Sequence, residues 1–157
     1  MKEPRQCGSC SLCCKLMDVP EVKDPHRWCP HVKRGIGGNV TGGCSIYQSR
    51  PERCRTFNCF WLQEPDVPEH WYPLKSKIVI NAFDDASGRG FVAFVVDPAY
   101  PNRWREEPWF SDIKTMARLG LQGISLGPHG HKKWTTFVLI KDQRIPIIGT
   151  SSLLRAS

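Results

Sequence analysis

Ile78-Val79-Ile80-Asn81-Ala82-Phe83, then Asp84 to Gly90, then Phe91-Val92-Ala93-Phe94-Val95-Val96 is the stretch on which the fold turns. Two β-branched and aromatic runs separated by a polar, glycine-bearing turn predict a β-hairpin. Asp97-Pro98 closes the second run. Downstream, Pro108 suits the first turn of a helix, and Trp109, Ile113, Met116 and Ala117 recur on one helical face. Gly120 is the expected stop. Two further strands are predicted, Trp134 to Ile140 and Arg144 to Ile148, joined by the polar turn Lys141-Asp142-Gln143. The order ββαββ predicts an α+β domain over residues 76–157, an antiparallel four-stranded sheet with one helix across a face.

Upstream the pattern changes. Residues 63–75 carry Pro65, Pro68 and Pro73 and are expected to form an extended connector. Residues 1–62 are rich in Cys, Gly and Pro and show neither a helical nor a strand period. All eight cysteines lie there: Cys7, Cys10, Cys13, Cys14, Cys29, Cys44, Cys54 and Cys59. Such a segment buries too little apolar surface to fold alone, and metal ligation is the usual substitute for a core. An irregular metal-binding lobe is therefore expected.

The run opens as C-x2-C-x2-C-C. Thiolates at two-residue spacing converge because a tight turn aims both sulfurs one way, so they suit a soft metal or an iron–sulfur core. Cys13 and Cys14 are adjacent, and neighbouring side chains on an extended backbone point to opposite faces. Either the pair divides between two centres or one member is a buried spectator; eight cysteines make two sets of four. His31, two residues after Cys29, could replace one sulfur. The loop Gly35 to Gly43 lacks the Lys-Ser/Thr ending of a phosphate-binding loop and reads as a flexible approach to Cys44. Ser49-Arg50-Pro51-Glu52 has capping-box spacing, predicting a short helix that carries Cys54 among Arg50, Arg53 and Arg55. Positive charge there favours thiolate over thiol. Phe57, Phe60 and Trp61 would give Cys59 dry surroundings, and with Trp28 they would set solvent access to a bound group.

Taken in order, Cys7-x2-Cys10-x2-Cys13-Cys14, Trp28-Cys29-Pro30-His31, Gly43-Cys44-Ser45-Ile46-Tyr47 and Arg50-Pro51-x2-Cys54-Arg55-x-Phe57-x-Cys59 resemble the zinc- or iron-chelating CxxCxxCC family, the YkgJ-type cysteine cluster proteins. The resemblance covers about the first 62 residues and implies bound zinc or an iron–sulfur cluster. A longer relative, the flagellin lysine methylase, shares the cluster. This chain shows no recognisable adenosylmethionine-binding glycine loop, so methylation is not carried over. The overlapping two-residue spacings lean toward a 4Fe–4S cluster, with Zn2+ as the alternative.

Composition bounds the rest. The chain has 157 residues, 40% hydrophobic and 24% charged, with a formal charge of +7. Two sites of four thiolates and one divalent ion each subtract eight charges and return four, leaving +3. Basicity alone is thus a weak pointer to nucleic acid. No stretch approaches the roughly 20 apolar residues of a membrane span, and Met1 to Gln6 shows no apolar leader. A reducing cytoplasm is expected, where paired thiols hold metals more often than they form disulfides. His129 and His131 lack an evident third ligand. Arg103-Trp104-Arg105 could stack on a base, but reads better as a loop with its tryptophan tucked against the sheet. Asp84-Asp85 is turn chemistry, and no nucleophile grouping marks a catalytic residue. The expected function is metal or iron–sulfur binding with a redox, electron-transfer or maturation role, alongside an unnamed protein partner. The alternatives are a transferase or oxidoreductase using the cluster, and a zinc-shaped nucleic-acid-binding module.

Overall fold

The hairpin forms where its sequence places it. The computed structural model describes residues 3–34, 40–84, 86–122 and 134–147. In chain order the elements are α1 (Cys13–Leu16), β1 (Val32–Arg34), β2 (Val40–Cys44), α2 (Glu52–Thr56), α3 (Phe60–Gln63), α4 (Pro73–Ser76), β3 (Ile78–Asp84), β4 (Gly90–Val96), α5 (Trp109–Gln122), β5 (Trp134–Ile140) and β6 (Gln143–Ile147). The class is α+β, and the second half follows the expected ββαββ order.

Sheet order is β3-β4-β5-β6. β3 pairs antiparallel with β4, Ile78 facing Val96 and Asp84 facing Gly90, and β5 pairs antiparallel with β6. The central pair corrects the expected all-antiparallel sheet, because β4 and β5 run parallel from Gly90↔Trp134 to Val95↔Leu139. The cause is the connection: a chain that crosses by way of a helix re-enters the sheet from the end where it began, which makes neighbours parallel. The helix also differs at its end. It continues past Gly120 to Gln122, since a helix tolerates one internal glycine at modest cost. Pro108 stands just before it, accepting from the Asp112 N–H at 3.2 Å.

Alternation along the strands gives the sheet two buried faces. Ile78, Ile80, Val92, Phe94, Val96, Val138 and Ile147 form one, packed with Ile113 and Ala117 of α5 and with Trp104. Trp104 belongs to a 3-10 turn, Arg103–Arg105, and is fully buried, as the tucked-tryptophan reading requires. Trp61, Val67 and Trp71 join this same core. The proline-bearing connector is therefore not extended. It folds into a 3-10 turn at Glu69–Trp71 and into α4, because Trp71 and Val67 gain more by burial than an exposed strand would allow. The second face, Val79, Ala93, Val95 and Phe137, is covered by Leu12 and Leu16 from the cysteine segment.

That segment has more order than its sequence suggests. β1 and β2 pair antiparallel, with Val32 opposite Cys44, so the last part of the expected flexible approach is strand. Residues 35–39 of the loop lie outside the described residues. α2 does carry Cys54, but its N-cap is Pro51 without a side-chain cap, and Ser49 Oγ donates back to the Ile46 carbonyl instead. The anticipated capping box is not formed. No helix among the described residues is long and apolar enough to cross a membrane.

Candidate metal centre

The first C-x2-C turn is closed by the Cys10 N–H donating to the Cys7 carbonyl at 2.9 Å. Gly8 sits inside it at φ +55°, in the left-handed region that glycine enters without strain. The Tyr72 hydroxyl donates to the Cys7 carbonyl at 2.7 Å and holds the turn against α4. One pocket is then walled by Cys7, Cys10, Cys13 and Cys59, with Trp61, Tyr72, Pro73 and Val79 completing the lining. Three of these cysteines come from the sequence run and the fourth from the N-terminal edge of α3.

Electrostatics in this inner set are those of sulfurs held among apolar groups. Burial pushes the Cys10 thiol up to about 11, partly offset by N–H groups of Leu12 and Leu74. Burial likewise raises Cys59, with N–H groups of Leu62 and Trp61 working the other way, and it raises Cys7. Thiols in this environment stay protonated until a cation replaces the proton.

The remaining four cysteines, here the outer ones, are Cys14, Cys29, Cys44 and Cys54. The Cys54 thiol is raised by burial and then by its neighbours Cys14, Cys29 and Cys44, with Arg50 opposing. The backbone ties these positions together. The Cys29 N–H donates to the Cys14 carbonyl (2.9 Å), Val32 N–H donates to Cys29 (3.2 Å), and Val32 faces Cys44 across the ladder. Each outer cysteine thus sits on its own piece of chain.

Cys13 and Cys14 are where the sets meet. They begin α1, where successive residues stand about 100° apart instead of on opposite faces. The Cys13 thiol donates to the Cys14 sulfur, so Cys13 is raised and Cys14 is lowered to about 7, helped by the Lys23 ammonium. Lys23 is buried and donates to the carbonyls of Met17 and of Lys15 (3.2 Å), closing the open end of α1. Burial lowers its pKa while Cys29 and Cys14 hold it up. As the side chains stand, no three His, Cys, Asp or Glu groups among the described residues converge closely enough to clasp an ion. All eight cysteines are free thiols, not disulfides.

The other expected site residues find varied places. Trp61 is 6% exposed, and its indole N–H has no hydrogen-bond partner among the described residues. Phe57, like Cys10, Cys13 and Cys59, packs against the cluster on the second sheet face. Trp28 lies under the Lys15 ammonium, 5.7 Å away. At His31 the backbone N–H, not the ring, meets Cys29, donating to its Sγ at 3.4 Å. The arginines largely serve the chain itself. Arg50 stacks on Tyr47 and donates to its carbonyl at 2.7 Å. Arg53 grips Asp18 through both its carbonyl (2.8 Å) and its carboxylate (2.7 Å). Arg55 donates to the Arg50 carbonyl at 2.8 Å. His129 and His131 lie outside the described residues.

Sequence reasoning missed Arg5, Lys23 and Tyr72. Arg5 donates to the carbonyls of Trp61 (2.7 Å), Glu64 (3.0 Å) and Val67 (2.6 Å), and its guanidinium lies 4.4 Å from the Trp61 ring centre. It clamps the wall of the inner pocket. Isolated cations and a tyrosine beside a proline carry no spacing signal that could have marked these roles. No protein-family model, no curated protein and no solved structure matches this chain, so the resemblance to the CxxCxxCC family rests on its motifs alone.

Proposed function

We propose that this chain is a metalloprotein with two four-cysteine centres. Cys7, Cys10, Cys13 and Cys59 would hold the inner group, and Cys14, Cys29, Cys44 and Cys54 the outer one. The observation that carries the reading is the pocket lined by four of the cysteines, one of them, Cys59, far along the chain from Cys7, Cys10 and Cys13. The donor chemistry fits. Sulfur-only sets select zinc or iron–sulfur cores over hard cations. Backbone N–H groups aimed at Cys10 and Cys59 are the partners that ligating thiolates want. Binding requires side-chain movement, since no three of the sulfurs converge as they stand, beginning with separation of the Cys13 and Cys14 sulfurs.

The role that follows is redox: electron transfer, redox sensing or cluster handling. Cys7 is exposed at the edge of the otherwise apolar pocket, so a group held there would lie within reach of a partner at the surface. The outer centre would hold β1, β2 and α2 to α1 in place of a core. Anaerobic purification followed by metal and sulfide analysis tests the proposal. Bound metal should be retained through gel filtration, and Cys10→Ser should lose the metal of the inner centre while keeping that of the outer one. A folded, metal-free protein that takes up neither zinc nor iron would refute it.

A further inference from the structure

The second sheet face carries a row of rings that its apolar cluster does not use up. Along β3 burial falls away from Ile78 toward Asp84, and Phe83 stands 41% exposed near the strand's end. Alternation places Asn81 and Phe83 on the same face as Val79. Across the ladder Phe83 faces Phe91, and the two rings stack with centres 5.5 Å apart and planes 18° from parallel. Phe91 in turn meets Phe137 of β5 edge-on at 6.4 Å. Three rings on three neighbouring strands therefore run from the part of the face that Leu12 and Leu16 cover to an open end at Phe83.

A cation completes the row. Arg144 of β6 is exposed, with its guanidinium carbon 4.1 Å from the Phe137 ring centre and 5.8 Å from that of Phe91. It makes no hydrogen bond or ion pair among the described residues. A guanidinium resting on rings still has its in-plane N–H donors to give, and their fork matches a phosphate. Residues 76–157 hold eleven Lys and Arg against seven Asp and Glu, a surplus of four, and no cysteine whose thiolate would cancel it.

These features select an occupant. A purely apolar partner would bury Arg144 without a counter-charge, which is costly. An acidic peptide answers the cation but offers the rings no flat partner. A nucleotide chain supplies both, a base for the exposed ring and a phosphate for the guanidinium, provided its bases are not already stacked inside a duplex. Asn81 and Thr135 lie on the same face, Thr135 directly opposite Phe91, and their amide and hydroxyl suit a ribose 2′-OH.

We propose that the second sheet face binds single-stranded RNA, with a base stacked on Phe83 at the end of the ring row and a phosphate held by Arg144. Arg103-Trp104-Arg105 is not the stacking element, because Trp104 is only 1% exposed. This goes beyond the metal reading above and does not depend on which group the cysteines hold.

Fluorescence anisotropy of a labelled oligo-U of about ten nucleotides, titrated with the full chain at several salt concentrations, tests it. Binding should weaken as salt rises, and oligo-U should bind more tightly than oligo-dU of the same length or the same strand in a duplex. Phe83→Ala removes an exposed ring and should weaken binding about tenfold, whereas Phe83→Trp should retain it. Arg144→Gln should weaken binding and flatten the slope of log affinity against log salt by about 0.7, the value of one phosphate contact on a single strand. Tyr47→Ala removes another exposed ring, which stacks with Arg50 at 3.8 Å in the cysteine segment, and should leave the affinity unchanged. No association at low salt would overturn the proposal. So would binding indifferent to Phe83→Ala, which charge alone produces, or equal affinity for oligo-dU. Self-association that Phe83→Ala abolishes, without RNA binding, would assign the face to a second copy of the chain and overturn it as well.

Discussion

At Cys14 the proton of an adjacent thiol, the charge of an ammonium and burial compete for one sulfur. The first two win, lowering its pKa to about 7, whereas burial pushes Cys10 up to about 11. Thiolate is the reactive form, so in metal-free protein the alkylation rate of Cys14 should climb with pH through a midpoint near 7. Cys10 should remain slow through that range. Lys23→Gln removes the ammonium and should move the Cys14 midpoint upward, because less positive charge leaves the thiolate less favoured. Mass-spectrometric mapping of iodoacetamide adducts across a pH series reads this directly; an unmoved midpoint would show that Lys23 does not govern the sulfur. The candidate cysteines were legible one by one, but that Cys59 joins Cys7, Cys10 and Cys13 around one pocket was not. Arg5, Lys23 and Tyr72 left no trace because they serve main-chain carbonyls, which every residue type carries.

Among the elements, α1 is one turn long, and a turn that short has almost no stability of its own. Its position comes from Leu12 and Leu16 on the second sheet face and from the Lys15–Asp97 ion pair at 2.6 Å, in which Asp97 is 5% exposed. Leu16 is 2% exposed, and Leu16→Ala should cost about 3 kcal/mol, as buried leucine truncations do. Thr115→Ala on the exposed face of α5 should stay within about 0.5 kcal/mol. Urea denaturation midpoints compare the two, and equal effects would mean that leucine burial does not anchor α1. Strands β3 to β6 were legible because runs of five to seven residues display their alternation. The three- to five-residue elements of the cysteine segment are too short to show any period. The parallel β4–β5 pair was hidden for another reason: strand direction depends on where the crossover lands, which residue pattern does not encode. Trp71 and Val67 were hidden by flanking prolines that suggested an extended connector.

In the whole molecule one sheet serves two masters. Its first face has a conventional apolar core with α5, Trp71 and Trp104, while its second carries the sulfur-bearing segment. Stability should therefore divide. Stripping metal with a chelator is expected to raise amide exchange across residues 7–59 by roughly tenfold or more, the loss of about 1.4 kcal/mol or more of local stability. Amides of β3 and β4, paired and buried independently of the sulfurs, should change far less. Hydrogen-exchange mass spectrometry follows both regions in one experiment, and a uniform rise would show that the molecule unfolds as a single unit.

The single turn of α1 has a mechanical consequence. It carries two adjacent sulfurs, and a leucine three residues past the first packs against the sheet. A tug on either sulfur would twist the same short peg, and the peg is seated in the β-layer. A displacement of one sulfur should therefore reach its neighbour directly through that peg, while the layer that seats it stays in place.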